Sequence, residues 1–188
     1  MNMNELLSLL NDYLEERKIL SIYSNHQDTS LFSVGIVAAV SEEDTLLQSI
    51  APDGTYDGYQ TIPLSEIYMV CADGTYEEEI GRKYFSQEKQ HHPIHTTEKN
   101  LRKVLLSFAM QVGCCVSLEL CKSGKWDIQG QVLSLSDEMV CIDVYDIDYT
   151  GKCFIKLQNI TELEADSCDE RVLEKKQIDS APASDTRD

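Results

Sequence analysis

Basic residues are scarce in this chain. Its 188 residues include 33 Asp and Glu but only 16 Lys and Arg, a formal net charge of −17. A polyanion repels phosphate backbones, and nucleic-acid binders carry a basic face, so the balance argues against nucleic acid as a partner. It argues equally against anionic membrane surfaces and favours a basic protein partner. Long apolar runs are missing too. None approaches the roughly 20 residues that span a bilayer, so no membrane association is expected. The opening MNMNELLSLL has neither a basic n-region nor a small-residue cleavage site, which points to a cytoplasmic protein.

No CxxC pair occurs among the seven cysteines, Cys71, Cys114, Cys115, Cys121, Cys141, Cys153 and Cys168. Most sit among apolar residues, where a free thiol behaves as a small hydrophobe, so reduced structural cysteines are expected. The adjacency of Cys114 and Cys115 leaves redox activity open. Catalytic signatures are absent as well. There is no G-x-S-x-G, Walker A or G-x-G-x-x-G stretch, so neither an enzyme nor a cofactor is expected.

Histidine is confined to His26 and the run HHPIH. His91, His92 and His95 are the candidate metal ligands, because imidazoles close in sequence bind zinc or nickel. Pro93 intervenes and no cysteine adjoins them, so a solvated connection is the favoured reading. Glu77, Glu78 and Glu79 are contiguous and diverge, which reads as a solvated face. Asp44, Asp53, Asp57, Asp143, Asp146 and Asp148 lie in or near loops without the ordered spacing of a calcium loop.

What the chain does contain is a repetition of itself. Gly58, Ile62, Leu64, Ile67, Ala72 and Asp73 recur 93 positions later as Gly151, Ile155, Leu157, Ile160, Ala165 and Asp166. Gly35, Val37, Val40 and Ser41 recur 95 positions later as Gly130, Val132, Leu135 and Ser136. The change of two is a loop-length difference, and repetition of this kind implies two copies of one small unit.

Each copy opens with an amphipathic stripe. Leu6, Leu7, Leu10 and Leu14 follow Asn4 as N-cap, and Leu101, Val104, Leu105, Phe108 and Val112 follow Thr96 or Thr97. Short strands follow. In the first copy they cover 19–23, 31–40 and 45–50, with two more inside 59–71, broken at Ser65-Glu66. In the second they cover 115–121, 126–135 and 139–145, with two more inside 152–163. Five short strands cannot bury both faces as a flat sheet, so a strongly bent antiparallel sheet or small barrel is expected, bending at Gly35 and Gly130. The implied organisation is repeat one at 1–73, a linker at 74–95, repeat two at 96–173 and a disordered tail at 174–188.

The second copy resembles an Sm-like domain. In GQVLSLSDEMVCI, Gly130, Val132, Leu135 and Met139 stand at the spacing of that family's first motif, and in IKLQNI, Ile155 and Ile160 match its second. The helix-first order also suits the family; SH3-like barrels are the near alternative. The resemblance implies a mainly β fold with an N-terminal helix in each repeat, strand edges that pair with neighbours, and a base-binding pocket. The pocket residues depart from the pattern. Ser136, Val140 and Lys156 occupy its positions in the second copy, and Ser41, Thr45 and Pro63 in the first. Valine cannot hydrogen-bond a base edge, and proline carries no charge. The expected function is therefore a non-enzymatic protein-interaction or assembly module, with a homo-oligomer or pseudo-symmetric ring favoured over a monomer. The alternative is RNA binding through a diverged surface, carried by Asp137, Lys156 and Asn159.

Overall fold

The computed structural model describes residues 2–87, 93–145 and 150–180. Helix α1, Met3–Glu16, opens on a capping box. The Asn2 side chain accepts from the Glu5 N–H at 2.9 Å, and the Glu5 carboxylate accepts from the Asn2 N–H at 2.8 Å. This reciprocal pair satisfies two orphan donors, so the cap is Asn2 and not Asn4. Leu6 and Leu10 are buried, and Leu7 and Leu14 pack beside them. The helix stops at Arg17 in the left-handed region, φ 53°.

Strands β1 (Ile19–Tyr23), β2 (Ser33–Val40), β3 (Asp44–Ile50), β4 (Tyr56–Pro63) and β5 (Met69–Ala72) follow. Helix α2 spans Thr75–Phe85 and buries Ile80 and Tyr84 against Ile19, Ile36 and Ile50. The expected linker at 74–95 thus holds a packed helix. Glu77 is buried within it and only Glu78 and Glu79 are exposed, which corrects the reading of all three as a solvated face.

Helix α3, Leu101–Val112, is capped by Asn100, whose side chain accepts from the Lys103 N–H, and closes at Gly113. Thr96 and Thr97 stand too early to cap it, in a segment outside the helix that buried Ile94 pins to the core. Strands β6 (Cys115–Leu120), β7 (Ile128–Leu135), β8 (Met139–Tyr145), β9 (Thr150–Lys156) and β10 (Ile160–Ala165) complete the sheet. A single 3-10 turn, Leu157–Asn159, joins the last two strands. Helix α4 runs Cys168–Ser180, so helical structure occupies the first part of the expected tail; residues 181–188 lie outside those described.

The fold is mixed α/β: four helices and one open ten-stranded antiparallel sheet among the described residues, ordered β5-β1-β2-β3-β4-β10-β6-β7-β8-β9. The sequence reading expects two five-stranded sheets; β4 and β10 join them into one. Unpaired strand edges seek partners, and a tether between two of them raises their effective concentration. Each half presents its strands in the same order, fifth-first-second-third-fourth. Each also breaks register at the same place, between Val37 and Ala39 and between Val132 and Ser134. A side chain at Gly35 would land on the Gln48 carbonyl, and one at Gly130 on the Asp143 carbonyl, so both crossings require glycine.

The largest core cluster gathers α3 residues Leu101, Leu105 and Ala109 with Leu163 and Ile160 from the second half and Leu46 and Tyr59 from the first. A second cluster lies under α1, with Leu10, Leu20, Leu47 and Ile62 at its centre. No helix among the described residues is long and apolar enough to cross a membrane.

Candidate functional site

The junction of β4 and β10 joins the two halves of the sheet. Its register sets Thr61 opposite Leu163, Gln60 opposite Glu164 and Tyr59 opposite Ala165. Alternation along the strands sends Tyr59, Thr61, Leu163 and Ala165 to one face, where all four are buried. The other face is polar. Ser33 donates to Gln60 at 2.8 Å, and Gln129 donates to Ser117, which stands opposite Glu164. Gly58, at φ 77°, lies so close to the backbone of Ala165, Asp166 and Ser167 that no side chain fits there.

Side chains fasten the same junction. The Tyr56 hydroxyl donates to Asp166 at 3.0 Å, and Asp57 accepts from the Cys168 N–H at 2.7 Å. Arg102 of α3 reaches Asp44 of β3 at 2.6 Å, and Lys122 pairs with Glu66 at 2.5 Å. Asp44 is therefore a buried ion-pair partner and not a loop ligand. Burial raises its carboxyl, and Arg102 pulls in the opposite direction.

Three carboxyls near the junction are held well above the ordinary glutamate value of 4.5. Glu162 is pushed up to about 7 by burial and then by Glu119 and Glu66. Glu164 rises to about 8 by burial and then by Glu170, Asp57, Asp169 and Glu162. Glu170, fully buried in α4, rises to about 7, chiefly by burial. Glu170 also completes a capping box, accepting from the Ser167 N–H at 2.8 Å while its own N–H reaches the Ser167 hydroxyl. Ser117 stands beside Glu170, as Ser21 donates to Glu77 on the other half. Glu77 and Glu170 are themselves 93 positions apart, so carrying the repeat four residues past Asp73 and Asp166 would have found them.

A groove of about 580 Å³ runs beside the junction, lined among others by Phe32, Gln60, Glu119, Lys122, Trp126 and Glu162. Its charges are of both signs. No group of three or more His, Cys, Asp or Glu side chains placed to hold a metal occurs among the described residues.

The residues singled out from the sequence lie elsewhere. Asp137, in the turn between β7 and β8, is exposed and paired with Lys103, which holds its carboxyl below the usual range. Lys156 closes β9 opposite Met139. Asn159 lies in the 3-10 turn, where its carbonyl accepts from the Cys121 N–H at 2.9 Å. The Leu157 N–H donates to the Glu138 carbonyl, so the structure brings the neighbourhoods of Asp137 and Lys156 together, with Asn159 at the far end of the turn. His95 is exposed; His91 and His92 lie outside the described residues. Cys114 and Cys115 are buried, and burial with nearby acidic groups raises both thiols, Cys114 to about 12. That disfavours the thiolate and with it redox chemistry at the pair.

The two outer strands of the sheet, β5 and β9, carry the counterparts of the junction strands. Phe154 of β9 is 68% exposed and Met69 of β5 is 40% exposed. Comparison with protein-family models, curated proteins and solved structures gave no match.

Proposed function

We propose that this chain is a non-enzymatic assembly module built from two Sm-like units, which extends its sheet by pairing β5 and β9 with strands of neighbouring chains. The β4–β10 junction carries this reading. It pairs the fourth strand of one half with the fifth of the other and leaves the fifth and fourth strands of the same halves at the outer edges. A surface that binds its unlike counterpart head to tail builds rings or filaments when repeated between chains.

Several details support two equivalent units. The Ser41 N–H donates to the Asp44 carbonyl and the Ser136 N–H to the Met139 carbonyl, at 2.9 and 2.8 Å. Leu64 donates to Glu43 as Leu157 donates to Glu138. Asp73 and Asp166 share a left-handed conformation, φ 58° and 61°. Connectivity supports the bend. The outer strands of a flat five-stranded sheet lie about 19 Å apart, at about 4.8 Å per spacing. Three residues of 3-10 helix rise only about 6 Å, yet they join β9 to β10. The halves also pack on each other through buried Tyr59 and half-buried Phe108, whose rings meet edge to face at 5.5 Å.

Hydrogen exchange at two protein concentrations tests the proposal. Backbone amides of β5 and β9 are expected to be protected at high concentration and to exchange on dilution, while β4 and β10 stay protected throughout. Exchange of the outer strands that ignores concentration would overturn it.

A further inference from the structure

We infer that the copy-to-copy junction keeps the register of the internal one, so that Cys71 of one copy faces Cys153 of the next. The inference rests on the assembly reading above and specifies which residues meet. Shifting the internal register by the repeat offset of 93 replaces Thr61, Gln60 and Tyr59 with Phe154, Cys153 and Lys152. It replaces Leu163, Glu164 and Ala165 with Val70, Cys71 and Ala72. The pairs across the new junction are Phe154 with Val70, Cys153 with Cys71, and Lys152 with Ala72. All six residues lie on strands at opposite ends of the sheet, so the thiols meet only between copies.

The faces agree with this alignment. Val70 and Ala72 pack on the core beneath α1, as Leu163 and Ala165 pack on the core beneath α3. Exposed Phe154 then gains an apolar neighbour in Val70. Cys71 stands opposite Ser21, as Glu164 stands opposite Ser117. The polar pair of the internal junction, Gln60 and Glu164, becomes a pair of thiols.

An independent observation comes from the backbone. Gly58 is required where β4 presses on the Ala165–Ser167 segment. Its counterpart on the outer strand is again a glycine in a conformation that side chains rarely adopt, Gly151 at φ 149°. The approach that explains Gly58 explains Gly151 when Ala72–Gly74 of the next copy takes the place of Ala165–Ser167.

Residues directly opposite in an antiparallel pair have Cα atoms about 4.5–5.5 Å apart, inside the range of about 4.4–6.8 Å that a disulfide spans. Both cysteines are half-buried and free. In the reduced assembly they are two packed thiols. A diazene oxidant such as diamide reads their proximity: two thiols lose two protons and two electrons to form one S–S bond, and the N=N group gains both to become a hydrazine.

The test treats the full chain with diamide and separates the products without reductant. A ladder of covalent dimers, trimers and larger species is expected, with the peptides holding Cys71 and Cys153 linked. Cys71→Ser and Cys153→Ser are each expected to lose the ladder. Mixing the two variants is expected to restore a dimer and nothing larger, because only one reactive junction can form. Thermal unfolding of each variant checks that it folds. A ladder insensitive to both substitutions, arising through exposed Cys121 or Cys168, would overturn the register. So would an assembly that persists by mass without a Cys71–Cys153 product, and there the assembly reading survives. A chain that stays at its monomer mass of 21.3 kDa and yields no product would overturn both.

Discussion

Equivalent strands of the two halves stand in two different settings, one paired and one at the edge of the sheet. Between β4 and β10 the junction is closed: Gly58 admits a close backbone approach, Tyr56 reaches Asp166, and Leu163 is fully buried. At β9 and β5 the equivalent strands pair on one side only among the described residues, and Phe154 faces solvent. Proteins usually blunt open edges with charge or proline. Here β9 carries Lys152 and Lys156, but exposed Phe154 stands between them. On the assembly proposal, pairing is a property of the strand surface, and the tether decides which copy of it is filled within one chain.

The largest effect that separates the two junctions is expected in the core. Leu163→Ala should cost about 2–5 kcal/mol in urea unfolding, the range for truncating a buried leucine. Its counterpart Val70→Ala, on a strand only partly buried, should cost less than half as much in the isolated chain. Equal losses would break the comparison. Next in size is the backbone. Gly58→Ala forces a side chain into a left-handed site against Ala165 and should cost about 1–3 kcal/mol of stability, whereas the main consequence of Gly151→Ala should be weaker association.

A pH series sharpens the picture of the closed junction. The folded-state values of Glu162, Glu164 and Glu170 lie above the ordinary 4.5, at about 7, 8 and 7. The folded chain therefore holds more protons than the unfolded chain across that window, and the stability these groups contribute is lost as pH rises from about 4.5 through 8. Melting temperatures should fall over this span, and Glu164→Gln, which fixes a neutral side chain, should flatten the fall. A melting temperature that rises from pH 5 to 8 and is indifferent to Glu164→Gln would contradict the assignment. At the open junction, Phe154→Glu should abolish association while shifting unfolding by no more than about 0.5 kcal/mol, because the side chain is exposed. The smallest effect belongs to Lys156→Ala, which should change neither stability nor association. Salt-sensitive binding of single-stranded RNA that this substitution removes would instead favour the diverged RNA surface.

Much of the fold is legible because local pattern and tertiary placement agree. Strand β8 runs Met139–Tyr145 as expected, and Gly35 and Gly130 mark where strands cross too closely for a side chain. Helix α2 is less legible, since Ile80 and Tyr84 are its principal apolar anchors in a polar stretch. The union of two sheets is not written in either strand: alternation says which face of β4 is apolar, not which edge will pair with β10. The raised carboxyls hide for a similar reason. Glu162 and Glu164 alternate with apolar residues as on any half-exposed strand, and only the tertiary surroundings bury them and bring Glu119 and Glu66 near the first and Glu170 and Asp57 near the second. Asp137, Lys156 and Asn159 are legible only as candidates for a diverged RNA surface, and the pairing of Asp137 with Lys103 of α3 joins positions 34 apart that no local pattern links.

The most direct test of the central claim is the native mass of the full chain in reducing buffer, followed as concentration rises. Open β5 and β9 edges predict whole-number multiples of 21.3 kDa that grow with concentration and revert to a single chain in Phe154→Glu. A constant mass of 21.3 kDa at every concentration, identical for the parent chain and the variant, would contradict it.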